Sequence, residues 1–244
     1  MITDIFTVAW KELGEIFTFG DVRGRSKFSL IVLIVIFGIV IPLQNGREWV
    51  SSPVSAMIWA WMPFLWVSGV VADLFAGERE RHTLEALLAT RLSDQSILFG
   101  KLVAAMAYGF ILTWVIMLVS IVTVNVSSGR NGLLFYPLPT TLAALVFSIL
   151  ISGLSASIGV LVSLRAGSAR QAQQMMSAGM LVLFLPFMLI RFVPVEWLGY
   201  LEGVARHISL IQIAIYVALV LVVIEAILIA IAMRLFQRSR LILD

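Results

Sequence analysis

Asp73-Leu74-Phe75-Ala76-Gly77-Glu78-Arg79-Glu80-Arg81-His82-Thr83-Leu84-Glu85-Ala86-Leu87-Leu88-Ala89-Thr90-Arg91-Leu92-Ser93-Asp94-Gln95-Ser96-Ile97-Leu98-Phe99-Gly100-Lys101 is a densely charged stretch set between two long apolar runs. Nine of its 29 residues carry a formal charge, ten with a protonated His82, in a chain that is 13% charged overall. The surrounding chain explains the contrast. Its 244 residues are 61% apolar, and the mean hydropathy is +1.04. Soluble domains run at about 45–50% apolar and about 25% charged, so this composition belongs to a membrane protein. It excludes a soluble enzyme, a disordered chain and a nucleic-acid-binding module. The 17 Lys and Arg against 14 Asp and Glu leave a net charge of +3, and in a membrane chain surplus base lines the cytoplasmic face. The chain has no cysteine, which removes disulfides, thiolate catalysis and cysteine-held metals. Two histidines in the whole chain argue against a histidine-rich metal centre.

A helical crossing of the hydrocarbon core needs about 20 apolar residues. Six stretches qualify, at 28–43, 54–75, 102–126, 140–164, 175–193 and 208–233, the first of them short. They are continuously apolar, whereas strands of a membrane barrel alternate. The expected fold is therefore an all-α polytopic membrane protein with six transmembrane helices, one domain over residues 1–244. Basic residues set the orientation. Thirteen fall on one side: Lys11, Arg23, Arg25 and Lys27; Arg79, Arg81, Arg91 and Lys101; Arg165 and Arg170; Arg234, Arg238 and Arg240. Four fall on the other, namely Arg47, Arg130, Arg191 and Arg206. Both termini are thus expected in the cytoplasm, as an even number of spans requires.

The first 27 residues scatter charge where a signal peptide would hold an apolar core. Instead Ile2, Ile5, Phe6, Ala9, Trp10, Leu13, Ile16 and Phe17 form one helical stripe, with Asp4, Lys11, Glu12 and Glu15 off it. This predicts an amphipathic helix over residues 1–20, lying in the lipid interface or packed on a partner protein.

Within the charged stretch, Leu84, Leu87 and Leu88 make an i, i+3, i+4 patch, and Arg81 can pair with Glu85. The spacing predicts a short amphipathic helix over 78–92, and Ser93 or Asp94 can cap the helix that follows. A leucine knob ringed by acids suits a groove on a soluble partner, with apolar anchors for affinity and charges for register. The residues alone are equally consistent with a solvated loop whose charges keep it out of the lipid.

The run Glu78-Arg79-Glu80-x-x-Thr83-Leu84-Glu85-x-Leu87-Leu88, followed by Ser93-Asp94 and Gly100-Lys101, resembles the signature of ABC-2 type transporter permeases. These are the membrane subunits of one class of ATP-binding-cassette exporters. An N-terminal "elbow" helix containing Trp10-Lys11-Glu12-Leu13 and a second cytoplasmic turn at 165–174 also have counterparts in that family. His82 stands where the family often has Gly, and Arg91 where it often has Pro.

The resemblance implies that 78–92 is a coupling helix seated in a separate ATPase subunit. Leu84, Leu87 and Leu88 would form the apolar seat, Glu78, Glu80 and Glu85 the polar contacts that fix its orientation, and Thr83 belongs to the same motif. It further implies a four-part assembly in the cell membrane, two permeases (homo- or heterodimer) and two ATPases, embedded in lipid and exporting substrate. No G-x-x-x-x-G-K-[ST] phosphate loop occurs in these residues, so ATP and Mg²⁺ are expected in the partner and no catalytic, cofactor or metal residue in this chain. An ATP-independent channel or scaffold that docks a partner through the same loop is the competing reading.

Glu225 is the one acid well inside a predicted span. An intramembrane carboxylate is a candidate pathway residue, weighed against a glutamate held by a polar neighbour in the bundle. Ser148, Ser152, Ala156, Gly159 and Ser163 put small residues at three- and four-residue spacings, which suits close helix packing. Trp59, Trp61 and Trp66 read as interface belt residues or as a grip on an apolar substrate. Residues 194–207 are expected outside, either re-entrant or interfacial and anchored by Trp197 and Tyr200.

Overall fold

The computed structural model describes residues 1–19, 25–81, 90–128, 132–189 and 209–236, and among these all regular structure is helical, with no strand. Apolar backbone in a bilayer has no water to bond, so its N–H and C=O groups must pair within the segment, which a helix does. The elements are α1 (Ile2–Phe19), α2 (Arg25–Val35), α3 (Ile41–Asn45), α4 (Arg47–Ser51), α5 (Pro53–Ala72), α6 (Glu78–Glu80), α7 (Asp94–Ser128), α8 (Leu138–Arg165), α9 (Ala169–Leu189) and α10 (Leu210–Leu235). Two wide π-helical turns, Ile36–Val40 and Asp73–Gly77, join α2 to α3 and α5 to α6.

Among the described residues, four helices are long and apolar enough to cross a membrane, covering Ser55–Glu80, Asp94–Ser128, Leu138–Arg165 and Ile211–Leu235. A shorter apolar helix runs over Leu30–Asn45. Of the fifth predicted stretch, 175–189 lies in α9, whose first turns carry exposed Arg170, Gln171, Gln173 and Gln174, and 190–193 lies outside the described residues. The clearest departure from expectation is α7, which begins at Asp94 rather than 102. Ser93 caps it, its hydroxyl accepting from the Ser96 N–H at 3.1 Å, so residues 94–101 belong to the helix.

The centre of the bundle is the contact of α5 with α8. It closes because α8 presents small groups. Ser148, Ser152, Ala156, Gly159 and Ser163 are all buried, and a Cβ on Gly159 would collide with Val71. The hydroxyls of Ser155 and Ser163 donate across the seam to the carbonyls of Phe64 and Val71, at 3.4 and 3.2 Å. This is the packing role that the spacing of small residues predicts. Helix α7 packs on both α5 and α8, and α1 lies along α7.

At the other end, the loop entering α8 is tied down. The Asn125 amide exchanges hydrogen bonds with the Leu134 backbone at 2.7 and 2.8 Å, and Tyr136 bonds Ser120 at 2.9 Å. Trp59, fully buried, meets Trp49 and Tyr136 edge-on, with centroids 6.0 and 6.2 Å apart. Trp59 and Trp66 are therefore interior packing residues, not members of an exposed belt. By contrast α10, packed on α8, leaves Ile211, Val220, Val223 and Ile227 exposed. A helix apolar on all sides with one side covered has the surface that lipid or another membrane chain accepts.

Candidate functional site

The Arg165 end of the bundle gathers its charge around the extension of α5. Past the apolar run, the turn Asp73–Gly77 buries Leu74, Phe75, Ala76 and Gly77 and carries the chain into Glu78–Glu80. From there each successive side chain points to a different element.

Glu78 faces α7, where Lys101 donates to its carboxylate at 2.7 Å. The same ammonium donates to the Leu74 carbonyl at 3.0 Å and to the Glu12 carboxylate at 3.2 Å, and lies 5.4 Å above the Phe75 ring. Lys101 is fully buried and Glu12 nearly so. Isolated ions cost several kcal/mol to bury, so this lysine resides here only because all its partners do. Lys11, at the exposed edge, lies 3.7 Å from Glu12 and 3.2 Å from Glu15. Partial burial would lower its ammonium pKa, but these two carboxylates outweigh that and hold it above its ordinary value.

Arg79 turns to the end of α8 and donates to the carbonyls of Leu164 and Ala166, both at 3.2 Å. Glu80, next in the chain, accepts from the Ala169 N–H at 3.3 Å, at the start of α9. A cation at a helix C-terminus and an anion at a helix N-terminus each oppose the end charge of the macrodipole. Arg81 folds back onto Asp73 at 3.3 Å, both exposed, over Gly77, where a Cβ would collide with the Asp73 carboxylate.

Of the residues expected to face an ATPase, Glu78 and Glu80 are brought together here, making polar contacts to other helices of the same chain. Thr83, Leu84, Glu85, Leu87 and Leu88 lie outside the described residues, as does the expected external segment 194–207. Among the described residues of 78–92, only Glu78–Glu80 is helical.

Two residues central to the site were misplaced by the sequence reading. Lys101 counted there as a loop charge, and Glu12 as part of the polar face of α1. The structure corrects both. Ile97, Lys101, Ala104, Ala105 and Tyr108 recur at helical spacing and are all buried, a stripe that includes the lysine once the helix starts at Asp94. In α1 the docked edge is Val8, Ala9 and Glu12, while Ile2, Phe6 and Trp10 remain exposed. Gly100 permits the contact, since a Cβ there would stand 2.6 Å from the Val8 Cβ.

Glu225 sits in α10, half-buried against α8. Its carboxylate occupies the space a side chain at Gly153 would need.

An all-helical chain with several membrane-length apolar helices and one charged end is a multi-pass membrane protein. The profile of a family described as ABC-2 family transporter protein matches residues 69–214. That covers more than half of the chain and includes Glu78, Arg79, Glu80 and Lys101, and the chain belongs to this family of ABC transporter permeases. It is also similar to the ABC transporter permease protein NatB of Bacillus subtilis (strain 168), with 30% identity over 143 residues covering 53% of this chain and 36% of the relative. The chain thus spans about a third of that relative's own length.

Proposed function

We propose that the chain is the membrane-spanning subunit of an ATP-binding-cassette exporter, powered by separate ATPase subunits that dock on residues 78–92. One observation carries this reading. Glu78 ties the chain leading into 82–89 to Lys101 of α7, which in turn holds Glu12 of α1, while Arg79 ties it to the end of α8 and Glu80 to the start of α9. A push on that segment therefore reaches most of the bundle. In this reading Leu84, Leu87 and Leu88 are the apolar anchors in the ATPase cleft and Thr83 and Glu85 its polar contacts, while Glu78 and Glu80 transmit from behind them.

The subunit works as a dimer, with a second copy or a related permease, in the cell membrane. Six helices cross, both termini face the cytoplasm, and the exposed stripe of α1 rests in the lipid interface as an elbow. The partner binds ATP and Mg²⁺ and performs hydrolysis; this chain supplies the pathway and alternates between two arrangements of its helices. The family match supports permease over the competing channel or scaffold reading.

The test is site-specific photocrosslinking in native membranes, with the reactive group at Leu84 or Leu87. The expected product is an adduct to an ATP-binding-cassette ATPase, absent when the group is placed at Leu133, in the loop entering α8. Adducts only to lipid or water would reject the docking role.

A further inference from the structure

The Lys101 ammonium joins three parts of the chain that are distant in sequence. Lys101 belongs to α7, Glu12 to α1, and Leu74 and Glu78 to the extension of α5 that leads into 82–89. A lysine has three N–H donors, and here each has its own acceptor at 2.7, 3.0 or 3.2 Å. Lys11, between Glu12 and the partly exposed Glu15, supplies a second ammonium at the edge of the cluster. The backbone geometry is matched to the charge. Gly100, adjacent to Lys101, lets α1 approach until Val8 fills the place of its missing side chain. Removing Lys101 would leave the Glu12 and Glu78 carboxylates with only Lys11, at the edge, to compensate them, a costly arrangement for buried charge.

We infer that Lys101 is a positioning residue which, with Glu12 and Glu78, locks α1 to the end of α5, so that α1 and the ATPase-docking segment move as one body during transport. The inference rests on the docking role proposed above. The amino-terminal helix is then part of the moving lever and not a passive float on the membrane.

The chain has no cysteine, so introduced pairs carry spin labels without background. Thr7 and Arg91 are exposed, on α1 and near the end of the docking segment, and Leu133 is exposed in the loop at the far end of α7. In lipid nanodiscs the Thr7–Arg91 distance distribution is expected to be narrow. Lys101→Met broadens it and Lys101→Arg, which keeps the charge, restores it. Glu12→Gln, a neutral isostere, serves if Lys101→Met does not fold. A distribution as narrow in Lys101→Met or Glu12→Gln as in the wild type overturns the lock.

In the complex with its ATPase, ATP and vanadate are expected to shift the Thr7–Leu133 and Arg91–Leu133 distances together, by about 2 Å. In the neutralised variant only Arg91–Leu133 shifts, a result that a merely stabilising ion cluster would not give. If Arg91–Leu133 shifts in the wild type while Thr7–Leu133 does not, the lock is overturned and the docking role stands. If neither distance responds to nucleotide, the docking role is what fails, and the nanodisc measurement still decides the lock.

Discussion

Arg79 donates to the carbonyl of Ala166 at 3.2 Å, across 87 residues of sequence. The other arm of the guanidinium takes the Leu164 carbonyl, so the planar fork closes on the last turn of α8, where carbonyls lack partners within the helix. With Glu80 on the Ala169 N–H, two adjacent residues hold both sides of the turn between α8 and α9. The turn is fastened to the end of α5.

Arg79→Ala is therefore expected to lower stability by about 1–2 kcal/mol, the range of a cation at a partly buried helix C-terminus. Arg79→Lys recovers only part, because an ammonium cannot present the fixed fork. Tryptophan fluorescence during thermal unfolding in detergent reports this directly. An unchanged midpoint in the alanine variant would show that the contact contributes nothing.

Gly100→Leu is expected to unseat α1 without removing any charge, because the new side chain occupies the place of Val8. Lys11, about half exposed in the native protein, then becomes a fast trypsin site while the membrane helices stay protected. Cleavage after Lys11 at the wild-type rate would mean that α1 docks in some other way.

Much of the fold was legible because long apolar runs leave a bilayer chain few choices. The predicted stretches 140–164 and 208–233 match α8 and α10 within two residues at each end. The serine and glycine spacing in α8 gave its packing face. The charged end is less legible, for one physical reason: in a membrane chain a charge in the sequence points to water. Lys101 and Glu12 are charged and buried because they neutralise each other, and a pairing between residues 89 positions apart leaves no local trace. The belt reading of Trp59 and Trp66 failed in a related way, since an indole suits a buried aromatic cluster as well as an interface.

For Glu225, the contact with Gly153 supports packing over a pathway role. Glu225→Gln, which keeps the shape, is expected to retain folding and ATP-driven activity within about twofold, whereas Gly153→Leu overpacks the α8–α10 contact at a cost of about 1–3 kcal/mol. Expression yield and thermal unfolding separate the two. A folded Glu225→Gln protein that no longer transports would return the carboxylate to the pathway.

In the proposed function an ATPase bound through residues 78–92 drives this permease. The most direct test is to tag the chain, extract it from its native membrane in mild detergent and quantify by mass spectrometry what accompanies it. An ATP-binding-cassette subunit at equal stoichiometry, lost when Leu84 and Glu85 are replaced by alanine, is the predicted result. A chain that comes alone, or whose ATPase stays bound in that variant, would contradict it.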